Sequence, residues 1–232
     1  MNSISDKSVD MILCDLPYGT TKCKWDIVLP FDKLWEQYNR IIKDNGAIVL
    51  FGTEPFSTEL RHSNLEMYKY DWIWDKVKPN GHLVAKHRPM QRNENISVFG
   101  KGKINYYPIM IERDKPILGH GAKSTNGTNH LASFDNNFKK VYTHKYPTNI
   151  IKIDKVKKTI HPTQKPVELL EYLIRTYTNE GETVLDNCMG SGSTGEACLR
   201  TNRNFIGIEK DDKYFDIAYN RINGYMSKIV KK

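Results

Sequence analysis

Short apolar runs alternate with amphipathic stretches along most of the chain, and this alternation constrains the fold more than any other feature. The runs Val9–Cys14 (VDMILC) and 47–51 (AIVLF) are almost continuously apolar. Such runs are typical of strands that are buried on both faces of a parallel sheet. Similar runs occupy residues 70–74, 96–99, 183–185 and 205–208.

Apolar side chains recur at helical spacing between these runs. The predicted helices cover residues 31–42, 166–177, 193–199 and 214–222, and Pro166 suits a first helical turn. Strands that alternate with helices predict an α/β, Rossmann-like, doubly wound domain with a mostly parallel sheet.

Residues 105–160 break this rhythm with glycines and runs of Asn, Thr, Ser and Lys. We predict a small irregular insertion or subdomain here, with a flexible loop as the alternative. Residues 101–160 hold 12 Lys and Arg against 4 Asp and Glu, so this window carries the whole net charge of +8. A local basic excess favours a phosphate-rich partner such as nucleic acid, although a basic surface without a partner fits the charge equally well.

Composition argues against several other classes of protein. No apolar run approaches the ~20 residues that span a bilayer, and the polar N-terminus lacks a signal peptide. The four cysteines show no C-x-x-C pairing, which argues against a metal site and against a disulfide framework. We expect a cytoplasmic protein with no membrane association and no metal.

The first candidate site is Asp15-Leu16-Pro17-Tyr18, which follows the strand Val9–Cys14. Ligands of open α/β sheets bind beyond the carboxyl ends of strands. The Asp15 carboxylate and the Leu16 carbonyl can accept hydrogen bonds from an amino group on a flat ring, and Tyr18 can stack on that ring. A simple turn at the end of a strand is the alternative interpretation.

The second candidate site is the glycine-rich turn from Asp186 to Gly195, between a strand and a helix. Glycines there permit close approach of the backbone, and the following helix exposes unpaired N–H groups. Another strand then leads to Glu209, which can accept hydrogen bonds from ribose hydroxyls. This combination predicts a site for a nucleoside cofactor.

The segment His161-Pro162-Thr163-Gln164-Lys165-Pro166 leads into the predicted helix over residues 166–177. Lys165 can bind a ligand carboxylate held at the start of the helix. The alternative interpretation is a solvated lysine in a turn.

Together these segments resemble the β-class amino-methyltransferases of DNA. In that family an Asp-Pro-Pro-Tyr tetrad comes first, followed by a target-recognition region, a His-Pro-Thr-Gln-Lys-Pro segment and a glycine-rich cofactor loop. The resemblance covers nearly the whole chain and implies three parts. They are a catalytic half over residues 1–104, a basic target-recognition insertion over 105–160, and a half that binds S-adenosylmethionine over 161–232.

The resemblance also implies roles for individual residues. Catalysis and reception of the target base fall to Asp15, Leu16, Pro17 and Tyr18. Thr163 and Lys165 are implied to hold the methionine end of the cofactor, and Glu209 its ribose. The remaining residues implied to bind S-adenosylmethionine are Asp186, Gly190, Ser191 and Gly192.

The chain departs from the family pattern at three points. Leu16 replaces the first proline of the tetrad, and Asn187-Cys188 replaces the usual Pro-Phe after Asp186. The segment before Val9 lacks the Gly-Asp pair that members carry ahead of this strand.

The implied activity is methylation of N6 of a flipped-out adenine in duplex DNA, since Asp at position 15 usually accompanies adenine in this family. N4 of cytosine is the alternative target, and RNA is an alternative substrate. The chain could also serve as a weakly catalytic subunit that binds DNA or cofactor in a heteromeric methylase. The family further suggests a homodimer and a cognate restriction enzyme.

Overall fold

The computed structural model describes residues 1–20, 26–123, 133–157, 159 and 164–230. These residues form two compact units, Met1–Tyr107 with Asn149–Lys232, and Pro108–Thr148. The strands are β1 (Val9–Cys14), β2 (Ile42–Gly52), β3 (Tyr68–Asn80), β4 (Gln91–Phe99), β5 (Ile111–Lys123), β6 (Ser133–Lys145), β7 (Ile150–Lys152), β8 (Thr183–Asp186) and β9 (Asn204–Gly207). The α-helices are α1 (Phe31–Ile41), α2 (Phe56–His62), α3 (Val167–Tyr177), α4 (Ser193–Arg200) and α5 (Asp212–Val230).

A seven-stranded sheet in the order β7-β3-β4-β2-β1-β8-β9 forms the centre of the larger unit. Strand β4 runs antiparallel to both of its neighbours, and the other six strands share one direction. The sheet is therefore mostly parallel, which confirms the α/β, doubly wound prediction.

Strand β1 lies in the interior of this sheet and buries side chains on both of its faces. Met11 and Leu13 pack with α3 and α4 on one face. Ile12 and Cys14 pack with Tyr38 and other residues of α1 on the opposite face. Neighbouring residues of a strand point to opposite faces of the sheet. Because helices cover both faces, residues on both faces must be apolar, which explains the continuous apolar run that predicted this strand.

The smaller unit, Pro108–Thr148, contains the antiparallel pair β5–β6. The sequence predicts an irregular segment here, whereas the structure has a two-stranded ribbon. Ile117 and Leu118 are neighbours on β5, and they are 49% and 50% exposed. Neighbouring residues of a strand point to opposite faces, so both faces meet solvent at this part of the ribbon. Such a segment needs no alternation of apolar and polar residues, and the strand signal disappears.

The sequence predicts neither α2 nor β7, which have seven and three residues. Such short elements contain too few residues for a periodic pattern. Within the described part of the chain, no helix combines the length and apolarity needed to cross a membrane.

Candidate active site

The carboxyl ends of β1 and β8 lie side by side because these two strands pair in parallel. Asp15 follows β1 directly, and Asp186 is the last residue of β8. A cleft that opens to solvent lies at this edge of the sheet, and its empty space, counted with the adjoining solvent, is about 370 Å³. The predicted site residues that line it are Asp15, Lys165, Asp186, Gly190 and Ser191.

Both oxygens of the Asp15 carboxylate have a donor. Lys165 Nζ lies 2.5 Å from Oδ2, and the Tyr18 hydroxyl donates to Oδ1 at 2.5 Å. Burial raises the pKa of Asp15, and Lys165 opposes this rise. The ammonium therefore favours the ionised form of a carboxyl group that has little contact with water.

The other three residues of the first predicted site have different environments. The Leu16 side chain is buried in the core on the α1 side, so contact with a ligand is left to its backbone. Pro17 is partly exposed. The Tyr18 ring packs against Phe56, with 4.9 Å between the ring centroids.

Glu94 on β4 belongs to the same cluster and is absent from the sequence predictions. Its Oε1 accepts from the Tyr18 hydroxyl at 3.0 Å and lies 3.1 Å from Lys165 Nζ. Its Oε2 lies 2.6 Å from Lys76 Nζ. The signal in the sequence is a charged residue directly ahead of Asn95 and the apolar run 96–99.

Lys165 is buried, which excludes the alternative of a solvated lysine in a turn. Its ammonium contacts Asp15 and Glu94 and lies 4.9 Å from the centre of the Phe51 ring. Burial works to lower the pKa of Lys165, but the two carboxylates outweigh it and raise the pKa. Thr163, the other residue implied to hold the methionine end of the cofactor, lies outside the described residues.

The glycine-rich turn after β8 is organised by two carboxylates. Asp186 accepts from the Thr194 hydroxyl at 2.6 Å and from the Cys188 backbone N–H at 3.1 Å. Burial raises the pKa of Asp186 to about 6. Glu209 accepts from the Gly190 backbone N–H at 2.8 Å, which ties the turn to the segment that follows β9.

Gly192 has a structural role that the sequence does not reveal. It precedes α4 with a left-handed φ of +73°, a conformation that favours glycine. A Cβ on Gly192 would lie 2.9 Å from the Ala218 backbone on α5. The helix packing therefore requires glycine here. Ser191 beside it is buried and lines the cleft.

The chemistry of the cleft fits S-adenosylmethionine. Asp186, Ser193 and Thr194 contribute polar groups to its lining, whereas Leu13 and Phe51 contribute apolar ones. Polar groups can bind the hydroxyls and amino groups of the cofactor, and the apolar side chains can contact its adenine ring. A buried carboxylate beside the cleft also suits a ligand that carries a sulfonium cation.

A model of the DNA methylase family, which covers N6 and N4 methylases, matches residues 9–220. The type II methyltransferase M1.MboII of Moraxella bovis is 30% identical over 244 residues, covering 94% of this chain and 90% of the relative. The type II methyltransferase M.HpaI of Haemophilus parainfluenzae is 28% identical over 236 residues, covering 96% and 71%.

Solved structures give the same result. The complex of M1.HpyAVI with S-adenosylmethionine is 28% identical, has a TM-score of 0.61, and aligns over 92% of this chain and 89% of its own. The cytosine-N4-specific PvuII DNA methyltransferase has the same fold at 17% identity, with a TM-score of 0.59 and coverages of 96% and 89%. The chain belongs to the DNA methylase family, and it is a DNA amino-methyltransferase that uses S-adenosylmethionine.

Proposed function

We propose that the protein transfers a methyl group from S-adenosylmethionine to N6 of an adenine flipped out of duplex DNA. The observation that carries this proposal is the cleft that Asp15 shares with the glycine-rich turn. One edge of the sheet carries both a carboxylate that can receive an amino group and a turn that suits a nucleoside. Transfer of a group between two bound molecules requires such proximity.

The cofactor residues that line the cleft are assigned by their place there, whereas Thr163, Gly192 and Glu209 are assigned from the resemblance to the family. Asp186, Gly190 and Ser191 bind the cofactor from the turn, and Gly192 sets the geometry of that turn. Glu209 holds the ribose hydroxyls, and Lys165, with Thr163, holds the methionine end. When bound, S-adenosylmethionine supplies an electrophilic methyl group.

The tetrad acts on the amino group of the base. The nitrogen of an exocyclic amine is a poor nucleophile, because its lone pair is delocalised into the ring. The Asp15 carboxylate and the Leu16 carbonyl accept hydrogen bonds from its two hydrogens. They draw the nitrogen towards tetrahedral geometry, localise the lone pair and stabilise the positive charge that develops. Pro17 fixes the backbone, and Tyr18 stacks on the flipped base.

The ribbon of β5 and β6 is proposed to contact DNA. Arg113, Lys115 and Lys140 lie on its strands, and the last two are exposed. Cations on an exposed ribbon suit the phosphate backbone, and ribbons of this kind also enter DNA grooves. Both curated relatives are named type II methyltransferases. We therefore infer that this chain works beside a cognate restriction enzyme.

The test is transfer of labelled methyl from S-adenosylmethionine to unmethylated duplex DNA, with digestion to nucleosides and identification by mass. N6-methyladenine supports the proposal. Detection of N4-methylcytosine instead would identify cytosine as the target and would not change the cofactor assignment. Absence of both products with folded protein refutes the proposed activity of the isolated chain. Structured RNA serves as the competing substrate.

A further inference from the structure

Glu94 is a buried carboxylate, with 4% of its surface exposed, and neither the tetrad nor the cofactor turn includes it. Strand β4 places it opposite Trp74 of β3, and Asn95 beside it pairs with Gly52 at the carboxyl end of β2. Glu94 therefore lies at the edge of the sheet that carries Asp15, although it is far from Asp15 in sequence.

The contacts of Glu94 duplicate those of Asp15. Lys165 and the Tyr18 hydroxyl are the two donors that hold the Asp15 carboxylate, at 2.5 Å each. The same two groups contact Glu94 Oε1, at 3.1 and 3.0 Å. The Lys165 ammonium therefore has a separate N–H for each carboxylate, whereas the single proton of the Tyr18 hydroxyl is shared between them, with Asp15 the nearer acceptor.

The charges of this cluster balance. Two carboxylates, Asp15 and Glu94, face two ammonium groups, Lys165 and Lys76. All four side chains have less than a fifth of their surface exposed. An unpaired charge in such a place is costly, so removing one member changes the ionisation of the others.

We propose that Glu94 is a positioning residue for the base-receiving carboxylate: it anchors Lys165 and the Tyr18 hydroxyl, and these two groups hold Asp15 in the orientation that receives the target amino group. The proposal rests on the function proposed above for Asp15. Glu94 acts through its two shared donors, and Lys76 neutralises its second oxygen.

The direction of the electrostatic effect follows from the groups that face Asp15. These are Lys165 ahead of α3, Glu94 on β4, Tyr18 on the same loop, Cys14 on β1 and Asp186 on β8. Burial raises the pKa of Asp15, Lys165 lowers it, and Glu94 raises it. Loss of the Glu94 charge therefore lowers the pKa of Asp15, and it also lowers the pKa of Lys165, which Glu94 raises.

The deciding variant is Glu94→Gln, which keeps the shape of the side chain and removes its charge. We expect kcat to fall about tenfold to a hundredfold, the size of effect that misplacement of a reacting group produces. The acid limb of the pH–rate profile, which follows ionisation of Asp15, should move to lower pH. Glu94→Asp keeps the charge and should restore the position of this limb, even with a reduced rate.

Asp10→Asn is the matched control. Asp10 is also a buried carboxylate on the central sheet, and Lys43 Nζ lies 2.6 Å from its Oδ1. It lies near the amino end of β1, away from the cleft, so its removal should affect folding stability and leave the shape of the pH–rate profile unchanged. Lys76→Met tests the role of Lys76: it leaves Glu94 Oε2 without its cation and should raise the pKa of Glu94, which Lys76 lowers.

A second measurement needs no activity: titration of the Asp15 carboxyl by ¹³C NMR in the free protein, with the signal assigned by Asp15→Asn. A lower Asp15 pKa in Glu94→Gln than in wild type supports the proposal. An unchanged Asp15 pKa, or a rate loss that is equal at every pH, overturns it. If the titrations behave as expected but the wild-type protein methylates no DNA, the proposed function is refuted and the proposed coupling of Glu94 to Asp15 is not. If Glu94→Gln does not fold, Glu94→Asp decides: it withdraws the carboxylate from Lys165 and the Tyr18 hydroxyl, so an undiminished kcat overturns the proposal.

Discussion

Asp186 illustrates at the scale of a residue how burial alters a carboxylate. Only 4% of the surface of Asp186 is exposed. Burial raises its pKa from 3.8 to about 6, although its hydrogen bonds act to lower the pKa. The folded state therefore binds more protons than the unfolded state between these values, and stability falls as pH rises through this window. The shift corresponds to about 3 kcal/mol of stability that is absent above pH 6.

Asp186→Asn should remove this pH dependence. We expect the variant and the wild type to be similar in stability near pH 4. Near pH 8, where Asp186 is ionised, the variant should gain relative to wild type by up to about 3 kcal/mol. Urea unfolding between pH 4 and 8 measures the difference, and parallel stability curves would contradict the assignment of the raised pKa to Asp186.

Asp15→Ala should impair catalysis and leave cofactor binding nearly unchanged. The carboxylate is proposed to contact the base, so turnover should fall by at least about 10²–10³-fold, as when a preorganised electrostatic partner is removed. Cofactor affinity should change little, because the turn after β8 is intact and Glu94 still pairs with Lys165. Calorimetric titration of S-adenosylmethionine and single-turnover rates test the two parts. A normal rate would refute the role of Asp15.

At the scale of elements, helix α1 braces the cofactor turn. The buried Tyr38 hydroxyl donates to Asn187 Oδ1 at 2.6 Å, and Asn187 Nδ2 contacts Cys188 Sγ at 3.6 Å. Asn187 stands where the family usually has proline. A hydrogen bond to a fixed helix can restrain this turn as a proline ring would restrain its own φ.

Tyr38→Phe should therefore weaken cofactor binding more than catalysis. Removal of the hydrogen bond leaves the Asn187 oxygen without this donor and should cost about 1–1.5 kcal/mol of stability. We expect KM for S-adenosylmethionine to rise by up to about tenfold, with kcat nearly unchanged. Tyr177→Phe is the control, since the Tyr177 hydroxyl is also buried and accepts from Trp72 Nε1 at 2.6 Å, away from the turn. An equal rise of KM in both variants would contradict the bracing role.

How well each element could be predicted depends on its burial. The bounds of β1 match the sequence prediction, and those of α1 and α3 differ from it by one residue. These elements bury one or both faces, so packing and pattern agree. The ribbon lacked such a signal where neighbouring residues on both of its faces are exposed, as at Ile117 and Leu118. The contacts between Lys165, Asp15 and Glu94 could not be predicted either, because they join segments that are distant in sequence and depend on the order of the strands.

At the scale of the whole molecule, the cleft and the ribbon proposed to bind DNA belong to different units. The cleft belongs to the larger unit, and the smaller unit carries exposed cations such as Lys115 and Lys140. If the two units serve DNA binding and chemistry, changes in one should leave the other property intact.

The double variant Lys115→Gln, Lys140→Gln should weaken DNA binding and leave S-adenosylmethionine binding unchanged. The slope of log K against log salt should become shallower by about 0.9 for each phosphate that the variant no longer neutralises. Lys7→Gln with Lys33→Gln removes the same charge from exposed positions of the larger unit and serves as the control. Equal effects of the two double variants would mean that net charge alone, and not the ribbon, sets the affinity.

The reversed strand β4 also affects how sequences of this architecture should be searched for catalytic groups. A strand that runs with the majority brings the residue after its apolar run to the functional edge, as β1 does with Asp15. A strand that runs the other way brings the residue before its run, as β4 does with Glu94. A search restricted to polar residues that follow apolar runs therefore misses Glu94, and polar residues that precede the run of a reversed strand need the same scrutiny.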